Sequence, residues 1–382
     1  MLIFWTQPDI RNLLLEILTF LTDDDWAFDF KLAQQTLGDS GHQEFLDLPK
    51  DFHPEHGALY SGGLDSAAGL VNRHIAGANN FMLVTVGHQS GLHRRIERQI
   101  ESLKRLLKST ERAGPRILHS TLTTSLKGGK AKRMRQQERT QRSRAFLFCS
   151  AAAIAANEFG LNTIEMFENG VGAINLPLMT GMLSSGLSTR GAHPTFLRLM
   201  SELVTKVANS QIQFVLPFIT KTKGEMLQEL KLTDGVATWA QDSRSCVHTS
   251  LREKGKTHCG RCPACIERRQ AFLSAGINEN LDVYQTDVLT DSLTKEDKAG
   301  YLRLYQLEAK KWIEGAESAR RRMLNHLYLT DVPIDEHERV MGLQVRNSRE
   351  VLRTFGGAFT NNPRPIARST SQNDSMKNGG MP

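Results

Sequence analysis

Gly57-Ala-Leu-Tyr60-Ser61-Gly62-Gly63-Leu64-Asp65-Ser66 is the stretch on which the reading of this chain turns. A short apolar run, Gly57–Tyr60, has the look of a strand, and Asp65–Ala76 continues as a helix. Between them, glycines let the backbone approach an oxyanion, and the free N–H groups of a helix start point at it. Ser61 and Ser66 add hydroxyl donors. Asp65 is acidic, so it suits capping the helix or helping to hold a Mg²⁺ that bridges phosphates. A bare Gly-Gly turn is usually no more than a capped connection. The full Ser-Gly-Gly-x-Asp-Ser after an apolar strand favours a phosphate loop instead. The chain has no Gly-Lys-Ser/Thr ending of the kind that closes a Walker loop.

Outward from this turn the pattern repeats. Phe81–Val86, Arg116–His119 and Thr163–Phe167 read as strands, and Leu92–Leu107 and Ala145–Phe159 as helices. Strands alternating with crossover helices predict an α/β doubly wound parallel sheet. Upstream, Ile10, Leu13, Leu14, Ile17, Leu18 and Leu21 recur at helical spacing over residues 9–22, and Trp26–Leu32 alternates like a strand. Downstream, helices are expected from Thr294 to Phe355, followed by a Pro-, Ser-, Asn- and Gly-rich end expected to be disordered. The expected organisation is an extension over 1–50, a core domain over 51–278, a helical region over 279–360 and a tail over 361–382.

Composition narrows the class. With 382 residues, 40% apolar and 23% charged, the chain is neither collagen-like nor a disordered polymer. Ile10–Leu21 falls short of the ~20 residues a membrane span needs and is interrupted by Arg11, Asn12 and Glu16. Lacking a positive leader, and followed by Asp23–Asp25, it is not read as a signal peptide either. The formal charge is +7, yet between Arg94 and Arg144 sixteen Lys/Arg stand against four Asp/Glu. The remainder is therefore net acidic, and the basic segment suits nucleotide phosphates better than nucleic acid.

Four of the five cysteines, Cys246, Cys259, Cys262 and Cys265, follow the spacing C-x12-C-x2-C-x2-C. Thiolates at two-residue gaps wrap one ion, and a four-cysteine tetrahedron is the usual structural zinc site. An iron–sulfur cluster is the alternative, because thiolates alone do not fix the metal. His248 and His258 lie near enough to replace one ligand, but four thiolates already complete the set. Cys149, in an Ala-rich helix, reads as a small buried apolar residue. So few cysteines outside the cluster fit a reducing cytoplasm.

The glycine turn resembles the PP-loop of ATP pyrophosphatases. Together with Ser245-Cys246 and Cys259-Gly-Arg-Cys262-Pro-Ala-Cys265-Ile-Glu-Arg268, it resembles the 7-cyano-7-deazaguanine synthase (QueC) family. Looser matches are Thr140–Phe148, Met166-Phe-Glu168-Asn169-Gly170 and Pro217–Glu225, so the resemblance covers about residues 57–275. It implies an adenine nucleotide alpha hydrolase-like sheet and use of ATP, Mg²⁺ and Zn²⁺. It also implies adenylation of 7-carboxy-7-deazaguanine, with AMP and pyrophosphate released, before ammonia completes an amide and then a nitrile. Ser61, Gly62, Gly63, Leu64, Asp65 and Ser66 would then hold ATP. Asp65, Ser66, Arg144 and Lys223 would serve the reaction, and Glu168 and Asn169 would meet the deazaguanine.

The chain is longer than the housekeeping enzyme at both ends. Asn169–Pro177, the Thr-Gln-Arg-Ser-Arg form at 140–144 and Leu18–Trp26 look more like the QueC-like proteins of bacterial anti-phage systems, such as QatC. That likeness implies attachment of the base to a protein encoded in the same defence operon, and leaves room for a homodimer. Two other readings stand beside it. One is another PP-loop activity, amide synthesis or tRNA modification, with Lys127–Arg135 as the electropositive path. An asparagine synthetase would carry Cys at position 2, where this chain has Leu2. The other is a non-catalytic nucleotide-binding zinc module whose C-terminal helices dock a partner; there Leu302, Leu304, Tyr305, Leu307 and Trp312 read as core.

Overall fold

The computed structural model describes residues 2–32, 52–87, 90–108, 114–124, 142–176, 189–247, 255–290, 300–315 and 329–356. A single turn, α1 (Leu2–Trp5), leads into α2 (Pro8–Thr22), which Pro8 starts. The wound core then runs β1 (His56–Leu59), α3 (Leu64–Ile75), β2 (Asn80–Gly87), α4 (Ser90–Lys108), β3 (Arg116–Thr123), α5 (Arg144–Glu158) and β4 (Thr163–Met166). It continues through α6 (Gly170–Ile174), α7 (Pro194–Ala208), β5 (Gln213–Val215), α8 (Lys223–Leu230), α9 (Val236–Ala240) and α10 (Pro263–Ala275). Among the described residues two further helices follow, α11 (Tyr301–Glu314) and α12 (His337–Phe355).

All strand pairs are parallel, in the order β3-β2-β1-β4-β5. His56 pairs with Phe81, Gly57 with Ile164, Asn80 with Arg116 and Thr163 with Gln213. The strand order reverses direction between β1 and β4, so right-handed crossovers place helices on both faces. On one face α3, α4, α8, α9 and α10 bury Leu64, Leu70, Ile100, Leu227, Trp239 and Phe272 against the sheet. On the other, α5 and α7 bury Ala152, Ala156, Phe196 and Leu203, and α2 joins them with its whole apolar stripe. A buried carboxylate on β4, Glu165, accepts a two-pronged bond from Arg73 of α3 at 2.7 and 2.8 Å. Paired in this way, the charge fastens α3 across the sheet instead of opposing folding.

The alternation at Trp26–Leu32 makes no strand. Its rings do fall on one side, Trp26 against Phe28 and Phe28 against Phe30, with Trp5 stacked on Phe30 at 6.3 Å. The segment is held by ring stacking over α1 rather than by a ladder. The acidic turn ahead of it is clasped instead: Arg190 binds Asp23 at 2.7 Å, and Arg142 bonds the Thr22 carbonyl and approaches Asp24. Strand β5 and helices α6 to α10 are additions to the elements expected from the sequence. Lys127–Arg135, His248, residues 294–299 and the tail after 356 lie outside the described residues. No described helix is long and apolar enough to cross a membrane.

Candidate functional site

In a wound parallel sheet, ligands settle at the carboxyl ends of the strands where the order reverses. Here that point lies between Tyr60–Gly63, after β1, and Phe167–Asn169, after β4. The turn after β1 is built by its own side chains. Ser66 Oγ lies 2.9 Å from Ser61 Oγ and accepts from the Ser61 N–H, while the Gly63 N–H donates to Ser61 Oγ at 3.2 Å. Helix α3 begins with no side-chain cap at Gly63, so its first N–H groups open towards the end of the sheet. Gly62 sits at φ +69°, and a Cβ there would meet Ile96 at 2.6 Å. Gly62→Ala is therefore expected to cost about 1–2 kcal/mol in backbone strain. By deforming the turn, it should also weaken ATP binding at least tenfold, which titration calorimetry beside thermal melting will read.

Around the turn stands a chain of charges drawn from distant segments. Lys223, the first residue of α8, places Nζ 2.9 Å from Asp65 Oδ2 and 3.2 Å from Glu267 Oε2. Asp65 Oδ1 accepts from Asn169 Nδ2 at 3.0 Å, and the same nitrogen donates to Glu168 Oε1 at 3.0 Å. Asn169 also caps α6, its Oδ1 accepting from the Gly172 N–H. Both amide hydrogens of Asn169 are thus taken by protein carboxylates, so it orients Asp65 and Glu168. Burial pulls Lys223 down, but Asp65, Glu267 and Glu168 outweigh it and hold the ammonium above its ordinary value. Burial, together with the Asp65 and Glu267 carboxylates, pushes Glu168 up to about 8, against the opposing pull of Lys223.

Helix α8 is itself locked in place. Thr222 caps it in a reciprocal box with Glu225, and the Thr222 hydroxyl donates to Glu350 of α12 at 2.6 Å. Arg346 of α12 binds Glu225 at 2.7 Å and the Thr220 carbonyl at 2.6 Å. Arg144, the first residue of α5, stands at the same end of the sheet, because α5 runs back from the edge strand towards β4. Glu267 lies within the Cys265–Arg268 motif, and the family resemblance gives it no role. Its partner Lys223 is 44 positions away, and no local pattern marks the pair.

The four cysteines converge. Their sulfurs all lie within 4.8 Å of one another, and all four residues are buried. A tetrahedral zinc with Zn–S near 2.3 Å needs sulfurs about 3.8 Å apart, so the quartet fits that ion with small adjustment. The Cys259 N–H points to Cys246 Sγ and the Cys262 N–H to Cys259 Sγ, as thiolate ligands require. Gly260, at φ +82°, passes so close to the Thr286 carbonyl that any Cβ would collide with it at 1.7 Å. His258 turns its Nε2 to the Ser245 N–H and its Nδ1 to Thr257, and is not one of the converging ligands. Downstream, fully buried Arg268 donates to Glu279, to Ser243 O and Oγ, and to the Gln241 carbonyl, binding α10 to the segment that leads into Cys246. Among the described residues no other group of three or more such ligands gathers. Asp65 already gives one oxygen to Lys223 and the other to Asn169, which does not suit a resident Mg²⁺.

Comparison with known proteins agrees with this geometry. A family model described as queuosine biosynthesis protein QueC matches residues 58–276, from β1 to the end of α10. The 7-cyano-7-deazaguanine synthase of Paracoccus denitrificans is 30% identical over 92 residues, which is 24% of this chain and 35% of that protein. The 7-cyano-7-deazaguanine synthase 1 of Mesorhizobium japonicum is 34% identical over 80 residues, 20% of this chain and 30% of that protein. The matched segments thus span about a third of the length of these curated relatives.

Proposed function

This chain belongs to the QueC family, and we propose that it is an ATP-dependent enzyme that adenylates a 7-deazaguanine carboxylate. The observation that carries this reading is the Lys223–Asp65 pair, 2.9 Å apart, at the mouth of the open helix start after Gly63. The first N–H groups of α3 take the terminal phosphates of ATP, and Lys223 offsets the charge that grows on departing pyrophosphate. A carboxylate oxygen of the substrate attacks the α-phosphorus, and the bond to the β-phosphate oxygen breaks. Ammonia then adds to the acyl carbon, and AMP leaves with that oxygen as one proton passes to solvent. The product is an amide. A second ATP activates the amide oxygen, and loss of AMP and two protons leaves the nitrile. Ser61 and Ser66 hold the turn in shape, and Arg144 adds positive charge from the α5 side.

Zinc, held by Cys246, Cys259, Cys262 and Cys265, supplies a structural cross-link and no position for substrate. The likeness of Leu18–Trp26 and Asn169–Pro177 to anti-phage QueC-like proteins supports a role in cytoplasmic defence, in which an amine of a neighbouring protein replaces ammonia at the acyl adenylate and no nitrile forms. Mass spectrometry of the products from ATP, 7-carboxy-7-deazaguanine and ammonia tests the reading. A nitrile or amide is expected; recovery of the acid unchanged while ATP is consumed contradicts it.

Glu168 recognises the paired N–H edge of the base. Held at about 8, it is mostly protonated at pH 7. Two N–H donors favour its ionised form and lower that value, so binding must release a proton. Calorimetry at pH 7 in buffers of differing ionisation enthalpy should therefore report close to one proton released. Glu168→Gln should report none.

A further inference from the structure

The QueC match ends at residue 276, yet the charge chain does not. Tyr305, on α11, donates its hydroxyl hydrogen to Glu267 Oε1, and the other oxygen of that carboxylate faces Lys223 Nζ at 3.2 Å. The order of contact is Tyr305, Glu267, Lys223, Asp65, and every link is within hydrogen-bonding or ion-pair reach. Glu267 is one-third exposed even with the tyrosine in place, so without that bond its side chain would be free to turn towards solvent. With it, one oxygen is fixed and the other is aimed.

Helices α11 and α12 together also brace the residue before Lys223. Gln306 of α11 bonds the Phe355 carbonyl of α12, and α12 delivers Glu350 to the cap residue Thr222, directly before Lys223. Gln270 of α10 also reaches Glu350, so α8, α10 and α12 share one buried polar knot. Gly224, next to Lys223, leaves room for it: a Cβ there would stand 2.8 Å from Glu350. Ile266 of α10, Leu302 and Ala309 of α11, and Val351 and Phe355 of α12 share one apolar cluster that holds the helices together.

We propose that the C-terminal helices complete the active site, and that Tyr305 is a positioning residue which, through Glu267, holds the Lys223 ammonium at the phosphate turn. This rests on the adenylation reading for Lys223 but adds a residue from outside the family's matched segment. A tyrosine that only filled space would leave Lys223 unaffected when its hydroxyl is lost.

The test is a double-mutant cycle in the full chain, comparing wild type, Tyr305→Phe, Glu267→Gln and the two together. Tyr305→Phe keeps the ring, and Glu267→Gln keeps the shape of the side chain. Each single change is expected to lower kcat for AMP release about tenfold, short of the ~10²-fold that a 1 Å misplacement costs. The KM for ATP should stay within about twofold, and the double variant should be no slower than the slower single one. Effects that multiply, an unchanged kcat, or a rise in KM alone would overturn the proposal. A second readout does not depend on turnover: the side-chain amine resonance of Lys223 in ¹⁵N-labelled protein. It should be sharp and protected in wild type and lost to exchange in either single variant. If wild type releases no AMP, the adenylation reading fails while this resonance still decides the positioning link. An amine signal that Tyr305→Phe and Glu267→Gln both leave unchanged overturns the link whatever the kinetics.

Discussion

Asp65→Ala lowers AMP and pyrophosphate release by about 10³-fold, the upper range for loss of one preorganised electrostatic group. Asp65 is the junction of the site: one oxygen faces Lys223 and the other receives Asn169. Removing it leaves Lys223 paired with Glu267 alone, so the ammonium withdraws from the turn towards α10. It also leaves one amide hydrogen of Asn169 without its acceptor, while the other still holds Glu168. Stability should fall by a smaller amount, about 1–3 kcal/mol, because buried Asn169 loses an acceptor while Lys223 keeps Glu267. Steady-state pyrophosphate release, set beside a thermal melt, separates the two effects. Activity within tenfold of wild type would show that the pair is structural.

Removing a ligand from the cysteine quartet is expected to produce an effect of comparable size by a different route. Structural zinc sites are worth about 10–16 kcal/mol in apparent binding free energy, and whole domains are stable by only about 5–15 kcal/mol. Cys262→Ser should therefore abolish metal binding and either prevent folding or lower Tm by more than about 10 °C. Activity should vanish with it. Cys262 caps α10, and Glu267, which faces Lys223, stands on the first turns of that helix two positions beyond Cys265. Elemental analysis is expected to give one zinc per wild-type chain and none in the variant. Iron with visible absorbance near 400 nm would assign the quartet to an iron–sulfur cluster instead.

What was legible in the sequence was what local chemistry encodes. The glycine turn, the strand–helix alternation and the x2 cysteine spacing each sit within a few residues, and the parallel sheet and the quartet follow from them. The Trp26–Leu32 pattern misled because period-two alternation reports a shared face, not a hydrogen-bonded neighbour; those rings found each other instead of a ladder. Strand β5, three residues long, is too short to show a period. The site beyond the turn was half legible. Lys223, Glu168 and Asn169 were named through resemblance. Glu267 and Tyr305 were not, because their meaning lies in contacts across 44 and 38 positions. Tyr305 was read as a core residue of an apolar helix stripe. Its ring does pack with α10 and α12, and only its hydroxyl is polar work.

The claim on which everything depends is that the N–H groups at the start of α3 hold the terminal phosphates, so that AMP is the group transferred. Its most direct test uses 7-carboxy-7-deazaguanine labelled with ¹⁸O in the carboxylate, with ATP and ammonia, followed by ³¹P NMR and mass spectrometry. One ¹⁸O is expected in the phosphate of AMP and none in pyrophosphate. Release of ADP with the label in inorganic phosphate would contradict it.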